Sequence, residues 1–193
     1  LDNMKIAIDI DDVLGYFIPT LVQFHNRIYN TTYTTEDITK YHLWEVWGGT
    51  REDAIEEVYR FYETPEFINL PLIEGATEGV QKLAEKHEVV AMTARPEDLR
   101  SKTEHWIARH FPNLFSEIHI ANRFSKSGPS TTKAELCEKH GIDVLIDDNL
   151  DYALQCVTPQ RKILLFDNPW NQNPELPNNM HRVHSWDDIS KLI

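Results

Sequence analysis

The sequence predicts an α/β protein built on a Rossmann-like parallel sheet with helices on both faces. In the second half of the chain, short apolar runs alternate with segments whose apolar residues recur at helical spacing. Such alternation is typical of parallel strands joined by crossover helices. The segment 15–73 departs from this pattern, because it is largely helical and rich in aromatic residues. We therefore predict a core domain of residues 1–14 and 74–193, with residues 15–73 forming a small helical cap inserted after the first strand.

Four short apolar runs and one alternating run, residues 117–120, predict the strands of the sheet. They are residues 6–8, 89–92, 117–120, 144–146 and 163–166. Each suits a buried parallel strand, although periodicity alone does not exclude a helix. After the third run, Lys133 is predicted to begin a helix that ends at Gly141, since glycine favours helix C-termini. The Asn- and Pro-rich stretch 168–179 is predicted to be an irregular surface loop, and Ser185 is predicted to cap a last short helix.

The inserted segment contains two predicted helices with an aromatic stretch between them. Apolar residues at steps of three and four, from Phe17 to Ile28, predict the first helix. The second begins at Thr50 and stops before Pro65, because proline does not fit a helix interior. The stretch 41–47 between them is unusually aromatic. It either packs inside the cap or offers a stacking surface to a flat substrate group, and the sequence leaves both open.

The composition limits the class of partner. With 19 basic and 31 acidic residues, the chain has a formal net charge of −12, which repels polynucleotide phosphates. No apolar run approaches the roughly 20 residues that a membrane-spanning helix needs. We therefore expect a cytoplasmic protein with no polynucleotide partner and no membrane partner. Its two cysteines, Cys137 and Cys156, are expected to be buried free thiols.

Two carboxylates, Asp9 and Asp11, follow the first apolar run directly. If the run is a strand, both side chains point the same way at its carboxyl end, where open α/β sheets build their sites. Two acids crowded together are costly unless a cation or a reaction requires them. Taken alone, the pair also fits a strand-end cap or another type of Asp-x-Asp metal motif.

Later features are expected to converge on this pair, because the ends of parallel strands meet at one edge of the sheet. Thr93 follows the second run and Lys133 follows the third. Asp147 and Asp148 follow the fourth. Several carboxylates around one point form an oxygen site suited to Mg²⁺, and a hydroxyl and a lysine can hold phosphoryl oxygens. The set indicates phosphoryl transfer through an aspartyl-phosphate, with Lys126 as a competing candidate for the lysine.

Together the motifs resemble those of the haloacid dehalogenase-like (HAD) superfamily, and the resemblance covers essentially the whole chain. It implies a HAD-like core with Asp9 as the nucleophile and Asp11 as the general acid/base. The acid at position 11 favours phosphotransfer, since the dehalogenating members lack it. Phosphate would be bound by Thr93, Ala94 and Lys133. The implied Mg²⁺ ligands are Asp9, Asp11, Asp148 and, directly or through water, Asp147.

A closer resemblance is to the 5′(3′)-deoxyribonucleotidases and their bacterial relatives. Phe17 falls where that family places an aromatic residue over the site, and residues 66–75 resemble its return segment from cap to core. Residues 184–186 match its C-terminal helix start, and Asp12 replaces the glycine that is usual at that position. The resemblance implies a Mg²⁺-dependent phosphomonoester hydrolase, with (deoxy)nucleoside monophosphates as expected substrates. Phe17 and Trp44 would be further substrate-binding residues.

Two other functions stay open. A phosphotransferase or mutase on the same scaffold would pass the phosphoryl group to an acceptor alcohol or sugar. A non-catalytic module would bind a nucleotide or metal through the same residues without turnover. In each case a small phosphorylated compound is the expected partner, and a homodimer is left open.

Overall fold

Six parallel strands form the sheet in the computed structural model, which describes residues 3–173 and 175–193. They are β1 (Lys5–Ile8), β2 (Glu88–Thr93), β3 (Glu117–Ile120), β4 (Val144–Asp147), β5 (Lys162–Phe166) and β6 (Met180–Val183). Their order is β3-β2-β1-β4-β5-β6, and every neighbouring pair is parallel. The predicted parallel sheet is confirmed. The winding reverses between β1 and β4, which is where doubly wound sheets open a crevice for ligands.

Helices cover both faces of this sheet, as predicted. The described α-helices are α1 (Phe17–Tyr29), α2 (Trp44–Trp47), α3 (Arg51–Tyr62), α4 (Pro65–Ile68), α5 (Ala76–Ala84), α6 (Arg100–His110), α7 (Lys133–His140), α8 (Leu150–Gln155) and α9 (Trp186–Leu192). Successive side chains of β1 point to opposite faces of the sheet and so belong to two different hydrophobic cores. Ile6 and Ile8 share one core with buried side chains of α5, α6 and α9, whereas Ala7 shares the other with those of α7 and α8. Cys137 and Cys156 are free and buried in the second core, which confirms that prediction.

The prediction of five strands was wrong, because β6 forms a sixth strand beside β5. Only Met180 and Val183 of this edge strand are buried, so it lacks the continuous apolar run of an inner strand. The stretch before it is also less irregular than expected. A short 3₁₀ helix at Pro169–Asn171 buries the side chains of Trp170 and Asn171. Residues 1, 2 and 174, which belong to the predicted core domain, lie outside the described residues.

The insertion after β1 carries α1 to α4, and aromatic side chains hold these helices together. Phe61 of α3 is fully buried, with its ring centroid 5.5 Å from that of Phe17 and 5.4 Å from that of Phe24, both on α1. Thr50 caps α3 by accepting a hydrogen bond from the backbone N–H of Asp53, as the sequence suggested for its start. The predicted first and second helices therefore correspond to α1 and α3. The division into core and cap stays a prediction.

Two backbone hydrogen bonds join the two ends of the insertion. The N–H of Tyr16 donates to the carbonyl of Pro71 at 2.9 Å, and the N–H of Ile73 donates to the carbonyl of Leu14 at 2.8 Å. The chain thus leaves the sheet and returns to it at one place. None of the helices in the described residues is long and apolar enough to cross a membrane. The cytoplasmic location expected from the sequence stays a prediction.

Candidate active site

The loop after β1 places Asp9 at the crevice between β1 and β4. The N–H of Asp9 donates to the carbonyl of Ile146 at 2.9 Å, which extends the pairing with β4 beyond the end of β1. The loop then tightens around the carbonyl of Ile10, which accepts from the N–H of Leu14 at 2.9 Å and from that of Gly15 at 3.1 Å. This turn fixes the backbone that carries both predicted catalytic acids.

Asp12 lies within this turn, at the position where the 5′(3′)-deoxyribonucleotidases that the sequence resembles usually have glycine. Its φ angle is 60°, a left-handed conformation that glycine adopts more readily than aspartate. Both carboxylate oxygens accept from the N–H of Ile18 at 3.1 Å, in the first turn of α1. Burial raises the pKa of Asp12 well above its usual range, and the neighbouring carboxylate of Asp11 adds to the shift. Asp12 therefore ties the catalytic loop to the first helix of the insertion.

Three buried carboxylates meet at the ends of β1 and β4. Asp9, Asp147 and Asp148 each offer an oxygen atom within 4.8 Å of the others. The Nζ atom of Lys133 lies 3.0 Å from Oδ1 of Asp9 and 2.5 Å from Oδ2 of Asp147. Lys133 is the first residue of α7, which Thr132 caps through the backbone N–H of Glu135. The structure thus brings Asp9, Asp147, Asp148 and Lys133 together at one point.

Lys126, the competing lysine, lies elsewhere. Its Nζ atom is 2.6 Å from Oε1 of Glu56 and 4.5 Å from the ring centroid of Tyr59, and its side chain is exposed. It contacts α3 rather than the acids, because the loop before α7 folds over the insertion. Of the two lysines, Lys133 is the one in contact with Asp9.

Burial and crowding make this group of acids electrostatically unusual. Burial raises the pKa of Asp9 to about 7, against the opposing charge of Lys133. Burial also raises the pKa of Asp148 well above its usual range, and the carboxylates of Asp12 and Asp9 add to the shift. Burial disfavours the charge on Lys133, but the carboxylates of Asp147 and Asp9 outweigh it and raise its pKa. Three carboxyl groups thus face one ammonium group, which a divalent cation would balance.

The hydrogen bonds of these acids indicate which oxygens are available to such a cation. Asp147 is fully engaged, since Oδ2 contacts Lys133 and Oδ1 accepts from the N–H of Asn149 at 2.9 Å. Asp148 accepts from Nε1 of Trp170 through Oδ2 alone, at 2.7 Å. Within the described chain, Oδ1 of Asp148 and Oδ2 of Asp9 therefore remain for a ligand. Oxygen donors of this kind fit Mg²⁺.

The side chain of Asp11 is held away from this cluster by Arg95. The guanidinium donates through Nε to Oδ2 at 2.9 Å and through Nη2 to Oδ1 at 2.6 Å. Nη1 of Arg95 donates to the hydroxyl of Thr103 at 3.1 Å, and the guanidinium lies 4.9 Å from the ring centroid of Phe67. Thr93 is buried at the end of β2, where its hydroxyl accepts from the N–H of Arg95 at 3.2 Å. The predicted metal contact of the Asp11 carboxylate stays a prediction.

A pocket with aromatic walls opens beside Asp11 and Arg95. Its walls include Phe17, Tyr41, Trp44, Tyr59, Tyr62, Ala94 and Arg123. Trp44 stacks on His42 with ring centroids 4.6 Å apart and an angle of 12°. Trp47, three residues later, stacks instead on the buried His25 at 3.9 Å. The aromatic stretch 41–47 therefore contributes both to this pocket and to packing within the insertion.

Trp170 and Asn171 contact the predicted site residues, and the sequence interpretation did not assign them to the site. For Arg95 the sequence left open a pairing with phosphate or with a nearby acid, and in the structure it pairs with Asp11. Asn171 donates through Nδ2 to the carbonyls of Asp148 and Phe166, both at 2.7 Å. The only sequence signal was indirect, since a tryptophan in an Asn- and Pro-rich stretch indicates a buried anchor rather than a free loop.

Comparison with known proteins gives concordant results. A sequence model described as "5' nucleotidase, deoxy (Pyrimidine), cytosolic type C protein" matches residues 3–193. The 5′(3′)-deoxyribonucleotidase of Bacillus subtilis is 28% identical over 194 residues, covering 97% of this chain and 97% of that protein. A nucleotidase of Clostridium acetobutylicum is 24% identical over 195 residues, covering 100% of this chain and 95% of the other.

Solved structures of HAD hydrolases share the fold. A haloacid dehalogenase-like hydrolase from Streptococcus pneumoniae matches with a TM-score of 0.70 at 11% identity, over 98% of each chain. A HAD-superfamily hydrolase from Geobacter sulfurreducens matches with a TM-score of 0.64 at 16% identity, over 100% of each chain. A HAD hydrolase from Bacillus subtilis, described as bound to magnesium, matches with a TM-score of 0.63 at 13% identity, over 100% of this chain and 99% of the other. These matches confirm the predicted HAD-like fold.

Proposed function

Since the chain belongs to this 5′-nucleotidase family and is a HAD-type phosphatase, we propose that it hydrolyses nucleoside monophosphates with Mg²⁺ through an aspartyl-phosphate. The observation that carries the proposal is the contact of Asp9 with Lys133 inside a group of three buried carboxylates. A carboxylate nucleophile needs an anion-binding group beside it and a cation to offset the charge of the phosphate. Here Lys133 is the anion-binding group, and the three carboxylates fit the cation.

The metal would be held by Asp9 and Asp148, each of which has one carboxylate oxygen without a hydrogen bond in the described residues. When bound, Mg²⁺ offsets the charge of the phosphoryl oxygens and favours the ionised form of the acids. Asp147 has another task, because its two oxygens are already engaged by Lys133 and by the backbone N–H of Asn149. It orients the ammonium group of Lys133 toward Asp9. Lys133 and the hydroxyl of Thr93 would then hold the phosphoryl oxygens.

The reaction takes place in two steps at phosphorus. Asp9 attacks the phosphorus atom, the new Asp9–phosphorus bond forms, and the ester bond to the leaving oxygen breaks while Asp11 protonates that oxygen. A water molecule then attacks the phosphorus atom, Asp11 accepts its proton, and the bond to Asp9 breaks to release inorganic phosphate. Arg95 positions Asp11 for both proton transfers, since two hydrogen bonds fix the plane of its carboxylate.

The substrate class rests on the aromatic pocket and on the relatives that are named nucleotidases. The pocket adjoins Asp11, the acid that would face the leaving oxygen. A nucleoside attached to that oxygen would therefore extend between Phe17 and Trp44. Aromatic stacking stabilises a base by about 1–3 kcal/mol in proteins that bind single-stranded nucleic acid.

Phosphate release from a panel of nucleoside monophosphates and sugar phosphates tests this proposal. With Mg²⁺ we expect release that EDTA abolishes, and faster release from nucleotides than from ribose 5-phosphate. An acceptor alcohol should not divert the phosphoryl group into a new ester, since that result would indicate a phosphotransferase. Binding of nucleotides without any phosphate release would contradict the proposal and indicate a non-catalytic module.

A further inference from the structure

A second group of ligating side chains lies away from the acids, on the edge strand β3. Glu117 and His119 are two residues apart on this strand, so their side chains point to the same face of the sheet. His140, the last residue of α7, approaches them from that face. One ligand atom of each residue lies within 4.8 Å of the others. Lys133 at the other end of α7 is about 10 Å distant at the rise of an α-helix, so this group is separate from the acids.

His119 offers a buried ring nitrogen without a hydrogen-bond partner in the described residues. Its side chain is 11% exposed, and its Nε2 atom accepts and donates no hydrogen bond. Oε2 of Glu117 lies 2.9 Å from this nitrogen, but not in a direction that makes a hydrogen bond. The ring nitrogen thus lies beside a carboxylate oxygen without a well-formed hydrogen bond, an arrangement that a cation shared by the two atoms would satisfy.

The distances suit a tetrahedral transition-metal site. Ligands about 2.0–2.1 Å from a tetrahedral Zn²⁺ are about 3.4 Å from each other. Oε2 of Glu117 is 2.9 Å from Nε2 of His119 and 3.8 Å from Nδ1 of His140, which bracket this value. The rings of His119 and His140 are tilted by 31° with centroids 3.8 Å apart, so the His140 ring must turn toward the shared centre. The side chains of His140 and Glu117 are 22% and 47% exposed, and so have room to adjust.

The chemistry of the donors and the position of His140 both favour a cation. Two imidazoles and one carboxylate are the ligands of many zinc sites, whereas Mg²⁺ and Ca²⁺ prefer oxygen alone. His140 ends α7, where the carbonyl groups of the last helical turn give the helix a negative end. The nearby ammonium group of Lys5 is paired with Glu88 at 3.0 Å, which offsets its repulsion.

We propose that Glu117, His119 and His140 form a binding site for a first-row transition metal, with Zn²⁺ as the best-suited ion. The bound ion would join the edge strand β3 to the end of α7, the helix whose first residue is Lys133. This zinc site is separate from the Mg²⁺ site proposed for the acids, and zinc binding does not depend on the proposed reaction.

Zinc binding by the metal-free full chain in excess MgCl₂ tests this site. Calorimetry with ZnCl₂ should give one bound equivalent. His119→Ala and His140→Ala should each weaken Zn²⁺ binding by about 10- to 100-fold or more. Loss of a residue that only supports a metal ligand already weakens binding by about that factor. His181→Ala is the matched control, because His181 is an exposed histidine on the other edge strand, β6, and should bind Zn²⁺ like the unchanged chain. Asp148→Asn should also keep the site, since it alters only the acids.

Two further measurements test the proposal even if one of the variants folds poorly. Zn²⁺ should raise the melting temperature of the unchanged chain and of His181→Ala, but not that of His140→Ala or Glu117→Gln. Co²⁺ bound to the unchanged chain should show the strong visible absorption of a four-coordinate nitrogen-containing site. The proposal is wrong if no saturable Zn²⁺ binds in excess Mg²⁺. It is equally wrong if Asp148→Asn loses the ion while His140→Ala keeps it.

Discussion

The acid cluster of Asp9, Asp147 and Asp148 and the aromatic pocket beside Asp11 are built in different ways. The acids follow two neighbouring inner strands, and a backbone hydrogen bond from Asp9 to Ile146 fixes their spacing. The pocket is formed by side chains from short helices and loops, including α2, a helix of four residues with none fully buried. We therefore expect the sheet edge to determine the reaction and the helices of the insertion to determine which substrate reaches it. Substitutions in the two regions should change different kinetic quantities.

Asp9→Asn should have the largest effect on turnover. An amide is a poor nucleophile, so we expect kcat to fall by about 10⁴-fold or more while the fold is kept. Phosphate release and circular dichroism measure the two outcomes. Asp151→Asn is the control, because Asp151 is an exposed acid on α8 that should tolerate the change. Substantial Mg²⁺-dependent turnover by Asp9→Asn would refute the nucleophile assignment.

Asp148→Asn should remove Mg²⁺ dependence and lower kcat by about 10²- to 10³-fold, because a metal ligand is lost. It should also stabilise the metal-free fold. The pKa of Asp148 is raised above its usual value of 3.8, so the stability associated with its protonated form is full below about pH 4 and declines as pH rises through the raised pKa. The melting temperature of Asp148→Asn in EDTA should therefore exceed that of the unchanged chain by a margin that grows with pH. A margin independent of pH would contradict this account.

Arg95→Ala should lower kcat by about 10- to 100-fold with a smaller change in KM, since positioning of the general acid/base matters most in the transition state. Arg95→Lys should recover part of the loss, because one ammonium group cannot reproduce the two hydrogen bonds to Asp11. Arg100→Lys serves as the control, as Arg100 pairs with Glu97 and Glu104 on the surface. An effect of Arg95→Ala on KM alone would assign it to substrate binding instead.

Trp44→Ala should have the smallest effect on the reaction and the clearest effect on selectivity. We expect the preference in kcat/KM for a nucleotide over ribose 5-phosphate to fall by about fivefold or more, from the loss of stacking. Trp47→Ala is the matched variant, because Trp47 stacks on His25 within the insertion and should lower the melting temperature without changing that preference. If Trp44→Ala and Trp47→Ala show the same preference for a nucleotide over ribose 5-phosphate, Trp44 has a packing role only.

The acid cluster could be predicted from the sequence because it depends on strand ends. An apolar run followed by acids locates a carboxylate at one edge of a parallel sheet, whatever the order of the strands. Asp9, Asp147 and Asp148 came together for this reason. Lys133 joined them because Thr132 begins a helix at that edge. Local pattern and sheet geometry were sufficient for the acids, whereas the choice between Lys133 and Lys126 required the structure.

The remaining features depend on contacts that no local pattern contains. Arg95 meets Asp11 across 84 positions of sequence, and Trp170 meets Asp148 across 22. The edge strand β6 escaped prediction because only its first and last residues are buried. The positive φ of Asp12 was equally hidden, since the hydrogen bond from Ile18 that accompanies it exists only once α1 is in place.

The two hydrogen bonds that join Tyr16 to Pro71 and Ile73 to Leu14 have a consequence for how such proteins diversify. Because both ends of the insertion meet at one place, the insertion can change in length without moving apart the two points at which the chain leaves and rejoins the sheet. A gene encoding this chain could exchange that segment for another by recombination at this one junction, provided that the new segment covers the same buried face of the core. We therefore expect the junction at Leu14 and Ile73 to accept a grafted segment when the graft restores the contacts of Ile18 with Asp12 and of Phe67 with Arg95.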